Sequence, residues 1–163
     1  MPTPAELSRI ADLLAAMSVV ERVDLAKRAG VRPQLAHRVA EMVGRENVKP
    51  FEGRAFVQLC AALKVDPITG VKIDIGDFGP FLPEHFAVAV KLARMTEKLT
   101  QREAAKVWGV EKTIPYRAEK AIPISVEPLL DLCAALNRHP FEFMRCTMFN
   151  AKHDLRQKEP VDA

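Results

Sequence analysis

A short motif that occurs twice in the chain constrains its fold more than any other feature. Residues 59–63 read Leu-Cys-Ala-Ala-Leu, and residues 132–136 repeat these five residues 73 positions later. A second pair of similar segments surrounds Gly30 and Gly109, which are 79 positions apart. Two matches in the same order indicate an internal duplication, in which each copy is one supersecondary unit.

The duplication sets the domain organisation of the 163 residues. We expect an N-terminal unit at residues 1–70, a linker at 71–81, a C-terminal unit at 82–148 and a polar tail at 149–163. The two offsets, 79 and 73, differ by six residues. The first unit therefore carries an insertion of six residues between positions 44 and 53.

Each unit reads as a series of short helices. Apolar residues recur at helical spacing, and two capping boxes, Ser18 with Glu21 and Thr100 with Glu103, mark helix starts. Gly30 and Gly109 are placed to end these two helices. The prediction is an all-α protein with two repeated helix-turn-helix units of the phage-repressor type, joined by an extended linker.

The linker has a pattern of its own. Val71, Ile73 and Ile75 alternate with Lys72 and Asp74, which is the period of a β-strand. Either one short strand or an extended segment with its apolar side chains against a unit fits this pattern. We favour the extended segment, because no second strand is evident as a partner.

Composition excludes several functional classes. The net charge of +3 permits nucleic-acid binding without requiring it, and no apolar run approaches the roughly 18 to 20 residues of a membrane span. Cys60, Cys133 and Cys146 indicate a reducing compartment, and we expect them to be small buried residues of a cytoplasmic protein. The four histidines lack metal-ligand spacing, and no phosphate loop or nucleophile motif is present. We therefore expect neither an enzyme nor a bound metal or cofactor.

The second unit resembles a known DNA-binding family. Residues 99–119 contain a capped helix, Gly109 and a short segment that ends in Arg117-Ala118-Glu119. This order resembles the helix-turn-helix of the phage repressor and Cro (Xre-type) family. The resemblance covers residues 82–144 and, more weakly, 3–70, and it implies that a short recognition helix enters the major groove of DNA.

The resemblance implies a set of DNA contacts. It places phosphate contacts at Gln101 and Lys120, and base contacts at Lys112, Thr113 and Arg117, with Tyr116 between them. In the first unit the positions that would contact DNA are Arg22, Arg32, Gln34, His37 and Arg38. The alternative interpretation of both sets is an ordinary solvated helix surface.

Two further features concern the recognition helix of the second unit. The resemblance implies an ion pair between Arg94 and Glu119, whose equivalents in the first unit, Ala15 and Ala40, are both uncharged. Loss of both partners together is what a partly buried pair predicts, since one partner alone would leave a buried charge. Pro115 predicts that the helix begins late, with Thr113 as its cap and Lys112 before it.

The leading functional hypothesis is a sequence-specific transcriptional regulator of a bacterium or phage, with double-stranded DNA as its partner. One chain could bind two half-sites with recognition helices about 34 Å apart, or only the second unit could read DNA while the first supports a homodimer or holds another protein. The other hypothesis is a protein-interaction module, such as an antiactivator or an adaptor that contacts RNA polymerase. The modest net charge, Glu111 and Pro115 favour that alternative.

Overall fold

The computed structural model of the protein describes residues 4–43 and 50–146. These residues form eight α-helices, one 3-10 helix and two short strands. The first four helices are α1 (Pro4–Ala15), α2 (Val19–Ala29), α3 (Pro33–Ala40) and α4 (Gly53–Leu63), and β1 (Phe78–Phe81) follows them. The second four are α5 (Pro83–Thr96), α6 (Gln101–Trp108), α7 (Ile114–Glu119) and α8 (Val126–Ala135), before the 3-10 helix (Pro140–Phe143) and β2 (Met144–Cys146).

The same order of four helices thus occurs twice, and the predicted capping residues lie at its boundaries. Ser18 and Glu21 form the reciprocal capping box of α2, and Thr100 and Glu103 form that of α6. Both helices end at a glycine in the left-handed region, with φ of 69° after α2 and 68° after α6. A residue with a Cβ is strained in this conformation, so glycine permits the sharp change of direction into the next short helix.

The all-α prediction describes most of the chain but misses a small sheet. β1 and β2 pair in antiparallel fashion, with Phe78 opposite Cys146 and Phe81 opposite Met144. The alternating segment at 71–75 forms no strand, although Lys72 makes an isolated bridge with Val65. The strand begins at Phe78 instead, and its partner comes from the end of the second unit, which short-range patterns could not connect to it.

Apolar residues of both units form one continuous core. α4 packs against α8, and β1 packs against α4, so the strand that precedes the second unit lies on the first. An aromatic cluster continues this contact, with ring centroids 4.9 Å apart for Phe78 and Phe141 and 5.1 Å apart for Phe86 and Phe143. Ile73 and Ile75 also pack on the core, as expected for the segment between the units.

The two cysteines of the repeated motif are buried and free. Cys60 and Cys133 are both fully covered, and burial raises the pKa of Cys133 to about 12. Both residues therefore pack as small apolar side chains, as predicted. The insertion expected between 44 and 53 lies largely outside the described residues, and so does the tail at 149–163. Within the described ranges, no helix has the length and apolar character needed to cross a membrane.

Candidate nucleic-acid interface

The short helix α7 begins late because of its proline. Pro115 is the second residue of α7, where a missing backbone N–H costs no helical hydrogen bond. Lys112 therefore lies in the turn before the helix, as Pro115 predicted. Thr113 occupies the cap position, but its hydroxyl donates to Glu111 Oε1 at 3.2 Å instead of capping the helix. This contact gives Glu111 a role that the sequence did not explain.

One side of α7 is turned to solvent. Ile114, Pro115 and Ala118 are buried against the rest of the unit. The remaining positions follow the spacing of one helix side and are all exposed: Thr113, Tyr116, Arg117 and Lys120. We call these four residues the α7 face. The guanidinium of Arg117 also donates to the carbonyl of Pro123 at 2.7 Å, which orients this side chain along the end of the helix.

The end of α7 is fixed by the ion pair that the resemblance implied. Arg94 on α5 binds both carboxylate oxygens of Glu119, with Nε at 2.5 Å from Oε1 and Nη2 at 3.1 Å from Oε2. Gln101 at the start of α6 donates to Oε2 at 3.2 Å, and Arg94 Nη1 donates to the carbonyl of Leu99 at 2.9 Å. Three helices therefore meet at one carboxylate, which fixes the position of α7 relative to α5 and α6.

The charged side chains of this cluster shift each other's pKa values. Burial alone would raise the pKa of Glu119, but hydrogen bonds from Arg94 and Gln101 outweigh that effect and leave its pKa below the ordinary value. The hydrogen bond to Glu119 raises the pKa of Arg94. The pair is thus ionised at neutral pH, with the Glu119 side chain only 7% exposed.

The first unit presents a corresponding surface on α3. Arg32, Gln34 and Arg38 are exposed, and His37 is half-buried. Pro33 is the first residue of α3, so this helix also begins with a proline in its first turn. The Arg38 guanidinium lies over the ring of Phe51, 5.0 Å from its centroid. The residues equivalent to the four of the α7 face are Gln34, His37, Arg38 and Glu41. We call these four residues the α3 face.

Arg22, a predicted DNA contact, donates hydrogen bonds within its own unit. Its Nε donates to the carbonyls of Leu14 at 2.8 Å and Met17 at 3.2 Å, and Nη2 donates to that of Ala15 at 3.4 Å. Arg22 therefore covers the open carbonyls at the end of α1, beside the position where the second unit has Arg94. Gln101, its equivalent, likewise has a protein partner in Glu119.

Arg54 is a structural contributor that the sequence did not reveal. Its guanidinium hydrogen-bonds the carbonyl of Ala121, just after α7, although it belongs to α4 of the other unit. The equivalent of Arg54 in the repeat is Glu127, so the internal comparison offered no signal for this contact. Arg54 links the connection after α7 to the first unit.

Comparisons with known proteins add no family to this geometry. No protein-family model, curated protein or solved structure matches the chain.

Proposed function

We propose that the protein is a sequence-specific DNA-binding transcriptional regulator whose short helices enter the major groove. The observation that carries this proposal is the α7 face, an exposed set of polar and basic side chains on a helix held by a partly buried ion pair. We infer further that α6 with α7 and α2 with α3 are helix-turn-helix units, and that the protein acts in the cytoplasm of a bacterium or of a phage host.

The chemistry of the α7 face suits the edges of base pairs. A guanidinium can donate two hydrogen bonds to guanine, and a threonine methyl can contact the methyl group of thymine. Arg117 and Thr113 supply these groups, while Lys120 lies at the end of α7, where a phosphate would pass, and Lys112 lies in the turn before the helix. Because three helices meet at Glu119, the helix is held in place before it meets DNA, which lowers the entropic cost of binding.

A selection from random duplex DNA at about 0.15 M salt tests the proposal, since salt at this level suppresses purely electrostatic binding. We expect a defined motif, and we expect the Arg117→Ala variant to lose preference at one position of it. Lys72→Ala is the matched control, because it removes the same charge from an exposed site near Val65, at the other end of α4 from the faces. Enrichment of no sequence by the native protein would contradict the proposal.

The salt dependence of binding gives a second criterion. A protein that neutralises about five phosphates should show a slope near −4.5 when log affinity is plotted against log salt. Arg117→Ala should change sequence preference, whereas Lys120→Ala should mainly reduce this slope by about one unit. A flat salt dependence would argue against contact with a duplex.

A specific feature favours the alternative, a protein-interaction module. Val88, Leu92 and Met95 lie on one side of α5 and are 56%, 58% and 55% exposed. An apolar row of this kind is typical of surfaces that receive another protein. If the selection enriches nothing, this side of α5 becomes the first site to test, with Leu92→Lys as the variant expected to abolish partner binding.

A further inference from the structure

Backbone contacts between the two units join equivalent positions of the repeat. The N–H of Gly53 donates to the carbonyl of Ile124 at 2.8 Å, and the N–H of Val126 donates to that of Phe51 at 3.1 Å. Residues 53 and 126 are 73 positions apart, and so are 51 and 124. Each unit therefore donates one of these hydrogen bonds and accepts the equivalent one from the other unit. Such reciprocal contacts are characteristic of a two-fold interface.

Two pairs of equivalent residues also meet each other directly. Glu52 forms an antiparallel bridge with Ser125, its own equivalent, and His139 Nε2 lies 3.1 Å from Oδ1 of Asp66, again its equivalent. A residue can touch its own copy only close to a two-fold axis. The axis therefore passes close to both pairs. The Glu52–Ser125 pair precedes α4 and α8 and the Asp66–His139 pair follows them, so these two packed helices lie side by side along the axis.

The two faces lie at the same end of this axis. We call the backbone contacts between residues 51–53 and 124–126 the junction. The chain reaches the junction at Ile124 after α7, and at Phe51 after α3. Arg38 lies over Phe51, and Arg117 binds the carbonyl of Pro123, so both guanidinium groups lie next to the junction. Residues 38 and 117 are themselves equivalent by the offset of 79. The molecule thus carries two related faces around an approximate two-fold axis.

The faces are related but not identical. Arginine occupies the third position of both, as Arg38 and Arg117. The other three pairs differ in chemistry: Gln34 and Thr113, His37 and Tyr116, Glu41 and Lys120. Glutamine prefers adenine and threonine contacts the thymine methyl, so equal positions in the two half-sites would hold different bases around a shared guanine.

We infer that a single chain is a built-in dimer that binds one imperfect palindrome, with one half-site for each face. This inference rests on the proposed function and goes beyond it in specifying the ligand. The ligand is one duplex with two adjacent, unequal half-sites, one read by each face. No second chain is required to complete the site.

The test compares two arginine variants in the same selection. Arg38→Ala and Arg117→Ala should each lose preference at one position, and the two positions should lie at equal distances on opposite sides of the centre. Each variant should bind the native site at least about fivefold more weakly, as expected for loss of a two-bond contact with guanine. Native mass spectrometry of the complex should show one chain per duplex.

A variant that equalises the faces sharpens the test. The triple change Gln34→Thr, His37→Tyr and Glu41→Lys gives α3 the chemistry of α7, and the selected motif should become more symmetric. The reverse triple change, Thr113→Gln, Tyr116→His and Lys120→Glu, is the matched control and should make the motif symmetric around the other half-site. Far-UV circular dichroism shows whether each variant keeps the helical content of the native chain.

The outcomes separate the inference from the function beneath it. A motif with one half-site, affected only by Arg117→Ala, would overturn the inference and leave the DNA-binding proposal in place. Two chains on a perfect palindrome would overturn it in the same way. Enrichment of no motif would reject the proposed function itself, and the inference with it.

Discussion

Glu119 accepts hydrogen bonds from two other helices while it ends its own. The side chain is almost covered, and Arg94 is 18% exposed, so water screens the pair weakly. Removing one partner would leave the other charge in the same partly buried place, which costs far more than the pair contributes. The first unit avoids this cost because Ala15 and Ala40 replace both partners.

A double-mutant cycle tests this account. We expect Arg94→Ala and Glu119→Ala each to lower the free energy of unfolding by up to about 3 kcal/mol, the lower end of the range for a buried pair. The double variant should lose less than the sum of the two, because no charge is left without a partner. Urea denaturation measures all four proteins. Additive losses would show that the two side chains do not depend on each other.

The lowered pKa of Glu119 predicts an acid dependence of stability. A carboxyl whose pKa is lower in the folded state stabilises the protein above its unfolded pKa, and this contribution is lost as the pH falls through the folded value. Stability should therefore decline as the pH falls below about 5, toward the pKa of Glu119, which lies under its ordinary 4.5.

The Glu119→Gln variant measures this contribution in urea titrations from pH 7 to pH 3. It should show a weaker decline than the native protein. Some decline should persist, because hydrogen bonds with Ser18 and Thr100 lower the pKa of Glu21 and Glu103 as well. Identical profiles for the variant and the native protein would remove Glu119 from the explanation.

At the scale of elements, the direction of α7 depends on the residue between it and α6. Gly109 has a φ of 68°, and a Cβ built on it would meet no heavy atom within 4 Å. Glycine is therefore required here for its left-handed backbone conformation, since a Cβ would meet no neighbouring atom. Strain at the backbone is therefore the only cost expected for an alanine there.

Gly109→Ala should lower the free energy of unfolding by about 1 to 2 kcal/mol, the usual cost of the left-handed conformation for alanine. Gly30→Ala should cost a similar amount, because its φ is 69° and its nearest contact, at 3.6 Å, is ordinary. Thermal unfolding followed by circular dichroism compares the two. A much larger loss at Gly109 would point to steric contacts that this geometry lacks.

Sequence patterns predicted some helices and strands but not others, because these patterns report only interactions between residues that are close in the sequence. Caps, glycines and prolines act within one turn of a helix, so the starts of α2, α3, α6 and α7 were predictable. The pairing of β1 with β2 joins segments more than 60 residues apart, and no local pattern encodes such a partner. The roles of Arg22 and Arg54 were equally hidden, because both bind backbone carbonyls and leave no complementary side chain in the sequence.

At the scale of the whole molecule, Gly53 lies at the centre of the junction between the units. A Cβ at this position would lie 3.0 Å from the carbonyl oxygen of Ser125 and 3.1 Å from that of Ile124. These are backbone atoms of the paired segment, which cannot turn aside as a flexible side chain could. The close approach of the two units therefore depends on a glycine here.

Gly53→Ala should lower the free energy of unfolding by about 1 to 3 kcal/mol, as expected for overpacking. It should also weaken DNA binding if both faces act together. Ser125→Ala is the control at the same junction and should have little effect, because its hydroxyl makes no capping hydrogen bond and the bridge is backbone only.

The native chain should unfold in one transition seen alike by Trp108 fluorescence and circular dichroism. Separate transitions would contradict a shared core.

The sequence by itself determined the repeated motif, the helical character of both units and the glycines at their turns. These features depend on identity between the two copies or on interactions within a few residues, so the linear sequence is sufficient to find them. Only the tertiary structure decided how the two units meet. Their approximate two-fold relation arises from backbone hydrogen bonds at Glu52 and Ser125, and backbone atoms are the same at every position of a sequence.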